Sequence, residues 1–590
     1  MNAALGVERS FSGRSWFFRE SDPDAVQALA RAANISPVLA QILAARGIGA
    51  PDVTDYLHPT LKRQLPEPNR LMNMEAAVAR AHQAIERGET IAVFGDYDVD
   101  GSCAAALLRE FFRAAGCNPL VYIPDRLTEG YGPSHGALAQ LRARGATLLI
   151  TVDCGATASA VLDEAHANGL NAVVLDHHAL EEPWAGRAIQ INPNQPGDTS
   201  GLNCLCAAGV AFLFAVALNR ALRESGWYSS QHILEPDLRA SVDLAGLATV
   251  CDVVPLQGVN RAFVAAALAR CASRPRPGLK ALAEIAKASP PFSPHHFGFV
   301  LGPRINAGGR VGRCSLGVEL LGVDNDSEAA SLAAQLDLHN CERRAIEAGM
   351  LETAMVQAAE QNGASFVWAA GEDWHPGVLG IIAGRLKERF GKPAIAVGIG
   401  TDGTARASAR SVAGIDIGVI VREARAVNIL ENGGGHAMAA GFSLASSRCE
   451  AMREFLTARL LGKDDALAAA SILDIHGVVS AAGVTQSLAE DIGSAGPFGA
   501  GNPEPVLAAP DVELAWADET AGGHLRLRLR GRDGSGLNAV AFRAIDSPLG
   551  QGLLAARGKR IHAAGSLKLD RYNGAVRVEM QMTDAAPASL

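Results

Sequence analysis

The stretch FGDYDVDG (94–101) sets three aspartates at alternate positions directly after the apolar run TIAV. Carboxylates held this close repel one another, and without a counter-charge some of them must take up a proton. A bound cation removes the conflict. Three further stretches end in groups of the same kind: ATLLITVDCG (146–155), NAVVLDHH (171–178) and LATVCDVVPL (247–256). Together they collect Asp96, Asp98, Asp100, Asp153, Asp176, His177, His178 and Asp252. Carboxylates outnumber imidazoles and thiolate character is slight, which favours manganese or magnesium over a structural zinc. Two such ions side by side activate a bound water and stabilise the attacking and leaving oxygens of a displacement at phosphorus. Each residue alone has an ordinary explanation, since an aspartate after a strand is most often a cap or turn residue. Four separate segments that all end in ligand types are better explained by a metal site.

The elements that must position these groups follow from the apolar patterning. Between residues 70 and 256, short β-branched runs alternate with Ala/Leu-rich amphipathic segments, the pattern of βαβ units on a parallel sheet. Ligands of open parallel sheets bind beyond the carboxyl ends of the strands, so the four endings, each read as a strand end, are expected to converge on one crevice. GSCAAALLREFFRAAG then reads as a helix with Ser102 near its N-cap, its backbone N–H groups aimed at that crevice. Leucines, isoleucine and methionines at four-residue spacing, with no proline between them, predict one long helix over 327–362 that connects two lobes. A second α/β lobe follows, with SFVWAAG and PAIAVGI as strands around the helix VLGIIAGRLKERF. It closes in a glycine-dense loop, NGGGHAMAAG (432–441), where Met438 is expected in the core. After a charged, Ala-rich segment the chain turns β-rich, and HLRLRLRGR, LNAVAFRA, RIHAAGSLKL and AVRVEMQM suggest a small barrel. The expected organisation is an N-terminal segment (1–70), a catalytic α/β domain (71–326), the connector helix (327–362), a smaller α/β domain (363–462) and a barrel domain (463–590).

Composition narrows the class. The chain has 590 residues, 48% of them hydrophobic, enough for several domains. Its longest apolar run, CLCAAGVAFLFAVAL (204–218), falls short of the roughly 20 residues that span a bilayer and reads as a buried helix. The N-terminus lacks the basic start and apolar core of a secretory signal, and ten cysteines without a CxxC read as reduced core thiols. A cytoplasmic protein without membrane association is expected. No GxxxxGK[ST] stretch suggests ATP use. The net charge of −9 does not advertise a nucleic-acid binder, but a groove needs only local positive charge. HLRLRLRGR offers some: in a strand Arg526, Arg528 and Arg530 share the outer face, suited to a phosphate backbone, or else to protecting an edge strand from aggregation.

In their order, DYDVDG, VDCG, LDHH and ATVCDVVPL resemble the four motifs of the DHH phosphoesterase superfamily. YIPDRLTEGYG, GPRINAGGR, NCERRAIE, WHPGVLGIIAGRLKERFGKP, SARS, GGGHAMAAG and PFGAGNPEP narrow the resemblance to the RecJ family of bacterial single-strand-specific exonucleases, from about Arg14 to near the C-terminus. The resemblance implies a parallel-sheet DHH lobe, a connector helix, a DHH-associated lobe and an OB-like barrel. It implies two Mn2+ or Mg2+ ions ligated by Asp98, Asp100, Asp153, His177 and Asp252, with Asp153 bridging and Asp96 a further ligand or a neighbour of the ligands. Asp176 would orient its neighbours, and His178 would sit near the scissile phosphate, making Asp100, Asp153 and His178 the catalytic set. Some relatives carry a metal-reaching histidine where this chain has Phe94, so water or Asp96 would stand in for it. Arg126, Arg304, Asn306 and Arg310 would hold phosphates, while Ser408, Arg410, Gly433, Gly434, Gly435 and His436 would grip a terminal phosphate. The implied activity is 5′ to 3′ hydrolysis of single-stranded DNA to nucleotides, in repair and recombination, by a monomer served by a single-strand-binding protein and a helicase. The alternative is a DHH phosphodiesterase acting on cyclic dinucleotides or very short RNA, a task that would not require the C-terminal β-rich domain.

Overall fold

In the computed structural model the described residues are 3–126, 128–180, 182–361, 363–463, 472–572 and 575–588. The charged, Ala-rich segment at 464–471 and the expected last residue of the connector, Asn362, lie outside them. Strand β1 (Ser15–Phe18) leaves the N-terminal segment to pair far away in the sequence, and the next five strands build the first lobe. These are β2 (Thr90–Gly95), β3 (Leu120–Tyr122), β4 (Ala146–Val152), β5 (Asn171–Leu175) and β6 (Ile189–Ile191), in the order β3-β2-β4-β5-β6 with every pairing parallel. Both faces are covered: Ile91, Val93, Leu148 and Ile150 enter one core, Ala92, Phe94, Leu149 and Val174 the other. That is why these runs are apolar throughout rather than alternating. The register sets Gly95, Val152, Leu175 and Ile191 side by side. The residues that follow them, Asp96, Asp153, Asp176 and Asn192, therefore leave from one edge, at the switch in strand order where open sheets bind ligands.

Two expectations at this edge are corrected. LATVCDVVPL is not a strand; Val242–Cys251 is a helix, and Asp252 is its C-cap. Every residue from Val242 to Thr249 is buried, and a short run buried on all sides carries no period that separates helix from strand. The helix after β2 also begins earlier than expected, at Val99–Ala114. Asp98 is its N-cap and accepts the Gly101 N–H at 3.0 Å, while Ser102 is buried inside it. Aspartate caps a helix as well as serine does. Residue 101 has to be glycine, because a Cβ there would lie 2.5 Å from the Asp96 carbonyl oxygen.

The helix Asp326–Ala359, capped by Asn325 through the N–H groups of Ser327 and Glu328, leads to the second lobe. Its strands β7 (Val367–Glu372), β8 (Ala394–Ile399), β9 (Thr404–Arg410), β10 (Asn432–His436) and β11 (Ala439–Ala445) lie in the order β10-β11-β9-β8-β7. The glycine-dense stretch is thus a strand of a hairpin rather than a loop. Its glycines permit close approach, since a Cβ on Gly435 would lie 2.4 Å from the Ala439 carbonyl oxygen. Met438, at the hairpin tip, is 48% exposed and not in the core.

The last module begins with β12 (Ile472–Ile475), which pairs in parallel with β1. β13 (Gly477–Val478), β14 (Leu507–Thr520), β15 (His524–Arg530), β16 (Gly536–Ala541), β17 (Arg560–Tyr572) and β18 (Ala575–Pro587) form a sheet that closes into a barrel where β14 meets β17. Leu514, Leu525, Leu527, Leu529 and Met580 fill it, and Ile42 of the N-terminal segment joins the same core. Trp16, fully buried, donates its indole N–H to Asp584 Oδ2 at 3.1 Å. The N-terminal segment is therefore packed onto the C-terminal module. The apolar run at 204–218 lies largely in the buried helix Ala207–Glu224, and among the described residues no helix is long and apolar enough to cross a membrane.

Candidate metal centre and phosphate cleft

His177 Nε2 lies 3.4 Å from Asp153 Oδ1, 3.5 Å from Asp252 Oδ2 and 3.8 Å from Asp100 Oδ2. Three sets of donors converge here: Asp96, Asp98 and Asp153; Asp100, His177 and Asp252; Asp153, His177 and His178, with the atoms of each set within 4.8 Å of one another. Asp153, at a left-handed φ of 60°, belongs to two of them. Burial above all, and the neighbouring carboxylates after it, push Asp96, Asp100, Asp153 and Asp252 above the usual carboxylate range. Burial and the charge of His178 depress His177 to about 4, which leaves its imidazole neutral as a metal ligand must be. Asp96 Oδ1 and Asp252 Oδ2 are buried without a hydrogen-bond partner. Orphaned carboxylate oxygens in a self-repelling cluster fit a hard divalent cation such as Mn2+ or Mg2+.

The surroundings hold these groups in place. Asp100, inside its helix, accepts the N–H groups of Ala207 and Ala208 at 2.7 and 2.8 Å, so it also caps the helix Ala207–Glu224. Asp176 turns away from the cluster of donors. It accepts the N–H groups of His177 and Ala156, and its Oδ1 lies 2.6 Å from His178 Nδ1. Burial would raise Asp176, but the hydrogen bond and charge of His178 hold it at about 2. Burial would likewise lower His178, which Asp176 instead raises to about 9. Sequence reasoning missed Asn194 and Asn192, whose amides donate to the carbonyls of His177 (2.6 Å) and His178 (2.8 Å). It also missed Tyr131, whose hydroxyl donates to the Asp153 carbonyl at 3.0 Å. The asparagines could have been found by extending the strand-end rule to INPNQ. Phe94 is buried in the core and stacks on Tyr122 at 5.4 Å.

The second lobe closes on this edge. The His436 ring stacks on His178, centroids 5.9 Å apart. Arg310, on the helix Gly302–Val311, donates to the Gly377 carbonyl at 2.7 Å. Burial and the charges of Arg126, Arg343 and Arg410 lower it to about 10, and burial with Arg126 lowers Arg410 as well. Cations that depress one another in this way would be relieved by a bound anion. The Arg126 guanidinium lies over the Tyr97 ring at 5.0 Å, Ser408 Oγ accepts from Arg410 at 3.2 Å, and Asn306 accepts the Val99 N–H. His375, lowered by burial and by Arg126, joins this group unforeseen. Arg304 is committed elsewhere, to Asp337 at 2.8 Å and the Val300 carbonyl at 2.7 Å. On the barrel, Arg526, Arg528 and Arg530 face outward in a mixed field. Arg530 lies 3.8 Å from Glu513, Arg526 is opposite Asp518, and Arg528 bonds Asn538 beside the half-exposed Trp516.

The DHH family N-terminal domain matches residues 90–239, the DHHA1 domain residues 362–461 and the RecJ OB domain residues 475–584. The single-stranded-DNA-specific exonuclease RecJ of Salmonella typhimurium is 36% identical over 489 residues, covering 80% of this chain and 83% of that one. The chain belongs to the RecJ family. RecJ of Bacillus subtilis is 31% identical over 583 residues, 97% of this chain and 70% of its relative. The crystal structure of RecJ from Thermus thermophilus in complex with Mn2+ superposes with a TM-score of 0.79 at 28% identity, covering 98% of this chain and 80% of that one. The Mg2+ complex of the same RecJ gives 0.76 at 26% identity, covering 98% and 79%. These RecJ structures hold the two kinds of cation that the donor set here favours.

Proposed function

We propose that the chain is a divalent-metal-dependent exonuclease that hydrolyses single-stranded DNA from its 5′ end to nucleotides, in DNA repair and recombination. One observation carries the reading: a carboxylate–imidazole cluster and a guanidinium cluster lie together where two lobes meet, joined where His178 stacks on His436. Asp98, Asp100, Asp153, His177 and Asp252 would hold two Mn2+ or Mg2+ ions, with Asp153 common to two of the donor sets and Asp96 a further ligand. When bound, the ions lower the pKa of a water and neutralise charge on the phosphate. His178, kept protonated by Asp176 on Nδ1, presents Nε2–H to a phosphate oxygen and stabilises the charge that develops there. Asp176 is a positioning residue, as are Asn192, Asn194 and Tyr131.

Arg126 and Arg310 orient the backbone phosphates, with Asn306 fixing the helix start at Val99 and Arg304 fixing its own helix through Asp337. Ser408, Arg410, the amides of Gly433, Gly434 and Gly435, and His436 grip the terminal 5′ phosphate, which sets the polarity. Arg526, Arg528 and Arg530 lead the strand across the barrel. The enzyme acts as a cytoplasmic monomer, a setting that follows from DNA as substrate. Its single-stranded substrate implies a helicase and a single-strand-binding protein upstream. The test is Mn2+-dependent release of label from a 5′-labelled single strand, compared with duplex and with a cyclic dinucleotide. Preferential hydrolysis of the cyclic dinucleotide, or release from the 3′ end, would overturn the reading.

A further inference from the structure

Asp252 caps the end of its helix, its N–H donating to the Ala248 carbonyl at 2.9 Å, so the chain that leaves it bears on how firmly this end is held. Val253 has a left-handed φ of 59° and is 69% exposed, giving little support of its own. Asn260 of the same domain donates to the Pro255 carbonyl at 2.9 Å, and further support comes from the far end of the molecule. The stretch PFGAGNPEP of the C-terminal module lies on the residues just after Asp252. The Leu256 N–H donates to the Ala500 carbonyl at 2.7 Å. A Cβ on Gly499 would lie 2.8 Å from Leu256 Cδ1, and one on Gly501 would lie 2.9 Å from Pro255 Cβ. The two glycines therefore make room for Leu256 and Pro255, and Gly501, at a left-handed φ of +67°, would also be strained by any side chain.

This loop is itself fixed. Gly499 and Asn502 exchange backbone hydrogen bonds at 3.0 and 3.1 Å. Asn502, 3% exposed, donates to the carbonyls of Ala495 and Pro497 and accepts from the Tyr56 hydroxyl. From the catalytic domain Arg261, 2% exposed, donates to Gly496 at 2.6 Å, Ala495 at 3.2 Å and Tyr56 at 2.7 Å, and stacks over the Tyr56 ring at 3.8 Å. Three separate parts of the chain thus meet at one buried joint, and its product is a rigid seat for Pro255 and Leu256.

We infer that the 499–502 loop of the C-terminal module is a positioning element for Asp252, so that this module sets the affinity of the metal site. The inference rests on Asp252 being a metal ligand. A carboxylate whose support loosens loses metal affinity as one with a lost hydrogen-bond partner does, about 10-fold or more.

The test is Mn2+ binding to the metal-free full chain by calorimetric titration, alongside single-strand binding in EDTA. Gly501→Ala should weaken Mn2+ binding about 10-fold and leave strand binding within about 2-fold. Gly499→Ala, whose added methyl meets the flexible end of Leu256, should give a smaller loss and serves if Gly501→Ala does not fold. Gly534→Ala is the control. It sits in the same module at φ +82° with nothing within 4 Å of the added methyl, so it strains the module without touching the seat and should leave Mn2+ affinity unchanged. Equal Mn2+ affinity in wild type and both loop variants, or an equal loss in Gly534→Ala, would overturn the inference. Asp252→Asn separates the two levels. If it keeps full Mn2+ affinity the metal assignment fails; if it loses affinity while the loop variants do not, only the seat fails.

Discussion

His178 of the first lobe lies against His436 of the second, ring centroids 5.9 Å apart and planes within 24° of parallel. Although some 260 residues separate them in sequence, the second lobe reaches the donor cluster directly. An aromatic contact of this kind contributes roughly 0.5–1.5 kcal/mol. On the proposed reading, in which His436 grips the terminal phosphate, His436→Ala is expected to raise KM by up to about 10-fold while kcat falls less. Steady-state kinetics on a short 5′-phosphorylated single strand decide it, and a loss confined to kcat would move His436 from the terminal-phosphate pocket to the chemistry.

Arg410 and Arg126 should likewise act on binding, since on the proposed reading they bind phosphate and not metal. Charge-assisted hydrogen bonds to a phosphate are worth roughly 1.5–3 kcal/mol each. Arg410→Ala should raise KM for a 5′-phosphorylated strand about 10-fold or more, and the same strand ending in a 5′-hydroxyl should show little difference between mutant and wild type. An equal effect on both ends would mean that Arg410 reads something other than the terminal phosphate.

Asp153→Asn removes the carboxylate shared by two sets of donors. The expected result is loss of Mn2+ binding and of turnover together with a more stable metal-free protein, because a buried, repelling charge has gone. Its melting temperature should rise by roughly 2–4 °C for each kcal/mol of repulsion relieved. A metal-free mutant less stable than wild type would show that Asp153 is not strained by its neighbours.

Arg528 and Arg530 separate two uses of one strand. Arg530 faces Glu513, whereas Arg528 lies beside the exposed Trp516. Arg528→Gln should reduce the log–log salt slope of binding to a long single strand by about 0.7, the value of one lost phosphate contact, and Trp516→Ala should weaken binding at all salt concentrations. Arg530→Gln should reduce the slope by less, since Glu513 offsets part of its charge. Equal slopes for all three variants would assign the strand to edge protection.

His476 offers a pH test far from the metals. It is 4% exposed, its Nδ1 accepts the Val506 N–H at 3.2 Å, and burial first, then Arg46 and Arg19, lower it to about 4. The unfolded chain binds the proton more readily, so stability from the neutral ring is complete above about pH 6.5 and is lost as pH falls towards 4. The full effect is about 3 kcal/mol. In His476→Asn, which keeps an acceptor, the melting temperature should depend less on pH between 4 and 6.5 than in wild type. An unchanged pH dependence would mean that the ring is charged in the folded protein.

What the sequence made legible were groups announced by a sharp change of character. Asp96, Asp153 and Asp176 each follow a β-branched apolar run that reads as a buried strand, and their convergence follows from the rule for parallel sheets. Asp252 joins the donor cluster from a helix end and not from the expected strand, because a segment buried on every side shows neither the helical nor the strand period. Asn192, Asn194 and Tyr131 are single polar residues in irregular chain, with no repeat to mark them. Arg304 shows the opposite failure: its motif suggested a phosphate, but its partner is Asp337, a residue no local pattern connects to it. The joint at Arg261, Tyr56 and Asn502 was invisible for the same reason, since contacts between distant segments leave no periodic trace.

The pairing of β1 with β12 has a consequence for how the protein is made. Ser15 is matched to Ile472, about 460 residues later. At roughly 5–20 residues per second a ribosome needs about 20–90 s to supply the partner. Throughout that interval Trp16 and the strand edge around it are without their partners, while the first lobe can already fold. Of all the stages in the protein's life, it is the nascent chain, and not the finished enzyme, whose N-terminal edge is most open to misassociation and most in need of a chaperone.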